Sequence, residues 1–206
     1  ACGHDLHMTA WTGAATLLAR AKGSWRGTLV MVGQPAEEKG AGAATMLKDG
    51  LFSRFPRPDF ALALHVTPEL PAGSVGVTPG AAFASVDSVD LTIHGKGGHG
   101  AMPHRTVDPV LIAARTVVAL QALVSREKDP FEPAVVSVGS FQAGSKHNVI
   151  PPEARLKLTV RAYRDETRKR LLDGIRRVAT GESIAGGAPK EPDLAIVEST
   201  PGVVND

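Results

Sequence analysis

Two short apolar runs, Gly27-Thr28-Leu29-Val30-Met31-Val32 and Phe60-Ala61-Leu62-Ala63-Leu64-His65-Val66, constrain this chain more than any other feature. Each has the length of a strand and neither alternates with polar residues, which is the pattern of a strand buried on both faces. Between them, Ala43 to Lys48 reads as a helix stopped by Asp49-Gly50. Strand, helix, strand is the grammar of a parallel sheet, in which ligands bind outside the carboxyl ends of the strands. Glu37-Glu38 follow the first run and His65 lies at the end of the second, so all three fall where a site is expected.

Ahead of these runs stands the densest cluster of reactive side chains, Cys2-Gly3-His4-Asp5-Leu6-His7, which includes the only cysteine and two of the seven histidines. A thiolate and an imidazole separated by one glycine can converge on a borderline-soft ion. The motif is expected at or just before the start of a helix over Thr9 to Ala21, whose Ala10, Ala14, Leu17, Leu18 and Ala21 share a face. Taken singly, each residue has a plainer reading. Adjacent glutamates are common on solvated loops, His65 could be a satisfied histidine at a sheet edge, and Cys2 an inert thiol. Their joint arrival at one sheet edge favours a site in which one glutamate holds metal and its neighbour activates water as general base.

From Val86 onward the pattern changes. An alternating strand (Val86 to His94), a helix from about Asp108 to Ser125, strands Ala134 to Phe141 and Ala154 to Ala162, a helix Glu166 to Thr180 and a strand Leu194 to Glu198 give the order β-α-β-β-α-β. That is the ferredoxin-like split βαβ unit. Asp108-Pro109 supplies the cap and first position of its first helix. The expected division is a metal-binding domain over 1–79, an inserted domain over 80–199 and a return to the first over 200–206. Gly95-Lys96-Gly97-Gly98-His99-Gly100 satisfies G-x-G-x-x-G, yet Pro103 delays the helix and no acidic residue stands at the distance a dinucleotide ribose needs. Either these glycines let His99 approach a ligand closely, or His99 is incidental to a flexible tip.

Lys plus Arg (23) nearly balances Asp plus Glu (21), and a net charge of +2 exerts no strong pull on nucleic acid or anionic membrane. One cysteine allows no intrachain disulfide, no apolar run is expected to reach membrane-spanning length, and the cytoplasm is the expected compartment. A chain that enters its densest motif at residue 2 without an initiator Met is expected to be a piece of a longer protein.

Ala-Cys-Gly-His-Asp-Leu-His (1–7), Gln-Pro-Ala-Glu-Glu (34–38), Ala-Leu-His-Val (63–66), His-Gly-Lys-Gly-Gly-His-Gly-Ala-Met-Pro-His (94–104) and Asn148-Val149-Ile150-Pro151-Pro152 leading to Val160-Arg161 resemble the M20 metallopeptidase family. The resemblance is to its amidohydrolase branch, which acts on N-acyl amino acids, hippurate and auxin conjugates. It implies an α/β fold: a partial parallel-sheet, di-metal hydrolase domain with an inserted ferredoxin-like lid that also makes a homodimer. It further implies Cys2, His4, Glu38 and His65 as ligands of two divalent ions (Zn, Mn, Co or Ni), with the Cys2 thiolate able to bridge them. Glu37 would be the general base toward a metal-activated water, His99 would steady the oxyanion in the partner's site, and Asn148 and Arg161 would meet the substrate, Arg161 at its carboxylate. Asp5 and His7 belong to the motif in supporting roles. The family's last histidine ligand has no counterpart here, His147 being the last histidine in the chain. Two alternatives follow: a non-catalytic dimerising module, or a dipeptidase or deacetylase of a sister branch.

Overall fold

The structure, a computed structural model, describes residues 2–206. It divides into two units, Ala1–Val77 and Thr78–Asp206.

The first unit is built on helices α1 (His4–Arg20), α2 (Gly42–Lys48) and α3 (Leu51–Arg54), with 3-10 turns at Lys22–Ser24 and Glu37–Lys39 between α1 and α2. α1 begins at His4 rather than near Thr9, because Gly3 adopts a left-handed conformation (φ 77°) that turns the chain straight into the helix. The Gly3 carbonyl accepts from the amides of Leu6 (3.0 Å) and His7 (3.2 Å), replacing a side-chain cap. Asp5 in the first turn complements the positive helix end. The loop carrying the paired glutamates is fixed at Gly42, where an added Cβ would lie 1.5 Å from the Pro35 carbonyl oxygen.

The two apolar runs expected as parallel strands, Gly27–Val32 and Phe60–Val66, have no ladder partners among the described residues. Leu29, Val32, Phe60, Leu62 and Leu64 are exposed. Apolar patterning marks a segment that wants two buried faces, but a strand exists only through neighbours that hydrogen-bond to it, and pairing is a long-range property that patterning does not supply.

The second unit has its own core. Its four-stranded antiparallel sheet has the order β4 (Ala134–Ala143), β6 (Glu153–Ala162), β2 (Ser85–His94), β7 (Asp193–Thr200), with α4 (Pro109–Ala122) and α5 (Asp165–Ala185) in the crossovers. This is the split βαβ arrangement, and its elements lie close to the spans expected from sequence. The Asp108 carboxylate accepts from the Val110 amide at 2.9 Å, and Pro109 takes the first position of α4. A π turn, Leu123–Glu127, extends α4. By length and composition Pro109–Glu127 could cross a membrane, contrary to the expectation that no apolar run reaches that length. Here Ile112, Ala113, Leu120 and Leu123 are buried in the core with Leu91, Ile93, Leu156, Leu158, Leu171 and Ile175. Each such Leu or Ile contributes about 2 kcal/mol on burial.

The alternation along β2 places one unexpected residue inward. Asp87, not Val86, is fully buried, and Arg168 donates to both its oxygens (2.7 Å each) while Ser199 Oγ donates at 2.8 Å. A buried carboxylate is tolerated there because α5 supplies a guanidinium fork and β7 a hydroxyl. On β6 the residues facing away from the helices, Arg155, Lys157, Thr159 and Arg161, make a polar face. Two short strands, β3 (Gly98–His99) and β5 (Val149–Ile150), pair beside the sheet. Residues 203–205, in the stretch expected to lead back to the first domain, form β8 (Val203–Asn205) and pair antiparallel with β1 (Gly80–Phe83).

Candidate metal centre

The start of α1 and the loop before α2 bring four of the expected site residues together. Ligand atoms of Cys2, His4 and Glu38 lie within 4.8 Å of one another. His4 Nε2 is 3.0 Å from Glu38 Oε1 and 3.2 Å from Glu37 Oε2, and it is buried without a hydrogen bond. That ring nitrogen is shielded from solvent and faces the cluster, within ligand distance of both carboxylates. A thiolate, an imidazole and a carboxylate gathered there match the donor set of a zinc-class ion, so the residues fit the metal that the motif implies. The Cys2 backbone amide is the largest cause that holds the Glu38 carboxyl below its ordinary range, with the nearby His4 ring also lowering it.

The glutamates reach this position through local strain. Ala36 is the one non-glycine residue among those described with a positive φ (49°), and it opens the 3-10 turn Glu37–Lys39 that aims both carboxylates at His4. Left-handed alanine costs about 1–2 kcal/mol.

His65 joins the cluster through His7. His65 Nδ1 is 2.7 Å from the Val66 carbonyl oxygen, which can only accept, so Nδ1 carries the proton and Nε2 offers its lone pair. The Val66 amide donates to His7 Nε2 at 3.0 Å, and His7 Nδ1 is 3.3 Å from His4 Nδ1. The His7 ring meets His65 at 4.5 Å and His4 at 5.2 Å between centroids. Val66 in turn packs on Gly3, where an added Cβ would lie 2.6 Å from Val66 Cγ2. Sequence reading gave His7 no defined contact; the available signal was its i+3 spacing from His4, which puts both on one helix face.

The other three expected residues lie in the second unit. β3–β5 pairing sets His99 beside Asn148: the Gly100 amide donates to the Asn148 carbonyl at 2.8 Å, and His99 Nδ1 accepts from the Ala101 amide at 3.1 Å. The glycines of this loop serve close packing, as at Gly97, where a Cβ would lie 2.8 Å from the Ile150 carbonyl oxygen. α4 starts only at Pro109, so the Gly-rich loop does not open a helix as a dinucleotide fingerprint must. Arg161 is exposed on the polar face of β6, its Nε donating to Thr159 Oγ1 at 3.3 Å.

Comparison with known proteins adds an independent line. Residues 83–186 match the family model of the M20 peptidase dimerisation domain. An N-acetylcysteine deacetylase of Bacillus subtilis is 38% identical over 206 residues, covering 100% of this chain and 53% of the relative. A hippurate hydrolase of Campylobacter jejuni is 41% identical over 181 residues, covering 88% of this chain and 46% of the relative. Among solved structures, a Bacillus subtilis protein described as a dinuclear metal-binding peptidase of the M20 family superposes with a TM-score of 0.75 at 33% identity, over 100% of this chain and 50% of that one. The chain spans about half the length of the relatives it matches.

Proposed function

The chain belongs to the M20 peptidase family, and from that premise we propose that it carries the metal-binding and proton-transferring residues of an amidohydrolase acting on N-acyl amino acids. The observation that supports this most directly is His4 Nε2, buried, without a hydrogen bond and flanked by Glu37 and Glu38, with Cys2 in ligand reach. Cys2, His4, Glu38 and His65 would hold two divalent ions of the Zn, Mn, Co or Ni class. Bound there, the ions would supply Lewis acidity toward an amide carbonyl and toward water. Glu37 takes the proton of the attacking water on a carboxylate oxygen and delivers it to the amide nitrogen, which leaves as the free amine. The products are a carboxylic acid and an amino acid.

In the second unit, His99 donates to the oxyanion of the tetrahedral intermediate in the partner copy's site, and Asn148, beside it in the β3–β5 pair, contacts the substrate. The Arg161 guanidinium pairs with the substrate carboxylate. N-acetylcysteine and hippurate, named for two relatives, share an N-acyl amino acid and differ in the acyl group, so the proposal is made for the class. The second unit joins two copies through exposed Leu111 and Val118 of α4 and the open edge of β4. A site that needs Cys2 as a free thiolate suits the reducing cytoplasm.

The test measures bound metal and hydrolysis of N-acetylcysteine and hippurate by the chain and by its Glu37→Gln variant. Loss of about 10²–10⁴ in rate with metal retained supports the general base. Equal hydrolysis in both would sink it. A second reading, a dimerising module without catalysis, is favoured by the buried core, every side chain of which among the described residues lies in the second unit. Dimers that neither bind metal nor hydrolyse either substrate would select it.

A further inference from the structure

We propose that His7 is a positioning residue that fixes the two histidine ligands, His4 and His65, relative to one another. The inference rests on the metal-centre reading above and adds a residue to it. His4 and His65 come from segments far apart in sequence, one on α1 and one at the end of an unpaired apolar run, and no ladder among the described residues joins the two. What joins them is the His7 ring. Its Nε2 accepts the Val66 amide at 3.0 Å, its Nδ1 stands 3.3 Å from His4 Nδ1, and it meets His65 edge to face at 4.5 Å and His4 at 5.2 Å. The Val66 main chain is therefore held on both sides of its Cα, the amide by His7 and the carbonyl by His65 Nδ1 at 2.7 Å.

Three features set His7 apart from an ordinary half-buried histidine. It lies one helical turn from His4, so the rigid α1 backbone fixes its distance from that ligand. It hydrogen-bonds main chain rather than a mobile side chain, so its own ring cannot swing freely. The close approach of Gly3 to the Val66 side chain brings the same residue against the Cys2-Gly3-His4 turn, a second contact between Val66 and the motif. A metal site tolerates about 0.5 Å of ligand misplacement. Without the strut, His65 keeps its tautomer but loses its reference to His4.

Cobalt(II) uptake tests this in the full chain, read by its visible d–d absorption and by competition with a chelator. His7→Phe keeps a ring of similar size and removes both nitrogens; His7→Gln keeps an acceptor for the Val66 amide. Circular dichroism monitors folding of both. His7→Phe is expected to bind cobalt about 10–100-fold more weakly and with an altered d–d spectrum, and His7→Gln to recover part of both. Wild-type affinity and spectrum in His7→Phe would overturn the role of His7 and leave the metal centre standing. If the wild-type chain takes up no cobalt, the metal-centre reading fails, and imidazole nitrogen resonances of the metal-free chain decide on His7. Shifts of the His4 and His65 signals in His7→Phe support the strut, and unchanged signals overturn it.

Discussion

Gly3 carries two constraints at once. Its φ of 77° is one that residues with a Cβ avoid, and the Cβ itself would meet Val66 Cγ2 at 2.6 Å. Gly3→Ala is therefore expected to destabilise the first unit by about 1–2 kcal/mol from the backbone conformation alone and to separate His4 from the Val66 peptide. Loss of cobalt uptake together with loss of the Val66 amide's protection from hydrogen exchange would report this; unchanged uptake would show that the turn relaxes without moving His4. At this scale the sequence was informative about residue type and poor on contact. Cys2, His4, Glu37 and Glu38 could be picked out because their chemistry is rare at such density. The Ala36 conformation that aims the glutamates has no sequence signal, since alanine ordinarily avoids left-handed φ. Asp87 was likewise illegible, because its burial depends on Arg168 arriving from a helix distant in sequence.

Among the elements, Glu132 ties the start of α5 to the segment before β4. Glu132 accepts from Arg164 at 2.6 Å and from the hydroxyl of buried Thr167 in the first turn of α5. The Thr167 hydroxyl, then Arg164, hold its carboxyl below the ordinary glutamate range. An ordinary glutamate titrates near 4.3, so this contact contributes its full stability above about pH 5 and loses it as pH falls through the lowered folded value. Urea midpoints of wild type and Glu132→Gln should differ most at neutral pH and converge in acid below about pH 4. A gap that is constant with pH would show that the ionised carboxylate contributes nothing. Strands and helices of this unit were readable because their alternation and the Asp108-Pro109 cap are local. The strands expected at Gly27–Val32 and Phe60–Val66 were not, because a strand depends on a neighbour that pairs with it and neither run has one among the described residues.

For the whole molecule, the proposed dimer makes a prediction that separates association from folding. Val118 on α4 and Val135 on β4 are exposed, so Lys at either should leave stability within about 0.5 kcal/mol. Val118→Lys and Val135→Lys should each shift the mass in solution from dimer to monomer, Val135→Lys by blocking edge pairing. A mass that neither variant changes would argue against association through this unit. One consequence of the β1–β8 ladder concerns how the second unit can be rewired. Gly80 faces Asn205 across that ladder, and the Asn205 amide group donates to the Thr78 carbonyl at 2.8 Å, so the two ends of the unit lie side by side. A short linker can fuse them and a new break can be made in the exposed loop after α5, giving a circular permutant with the same four-stranded order. Such a permutant presents β7 first, and its native stability would show that this fold is specified by which strands meet rather than by the order in which they are made.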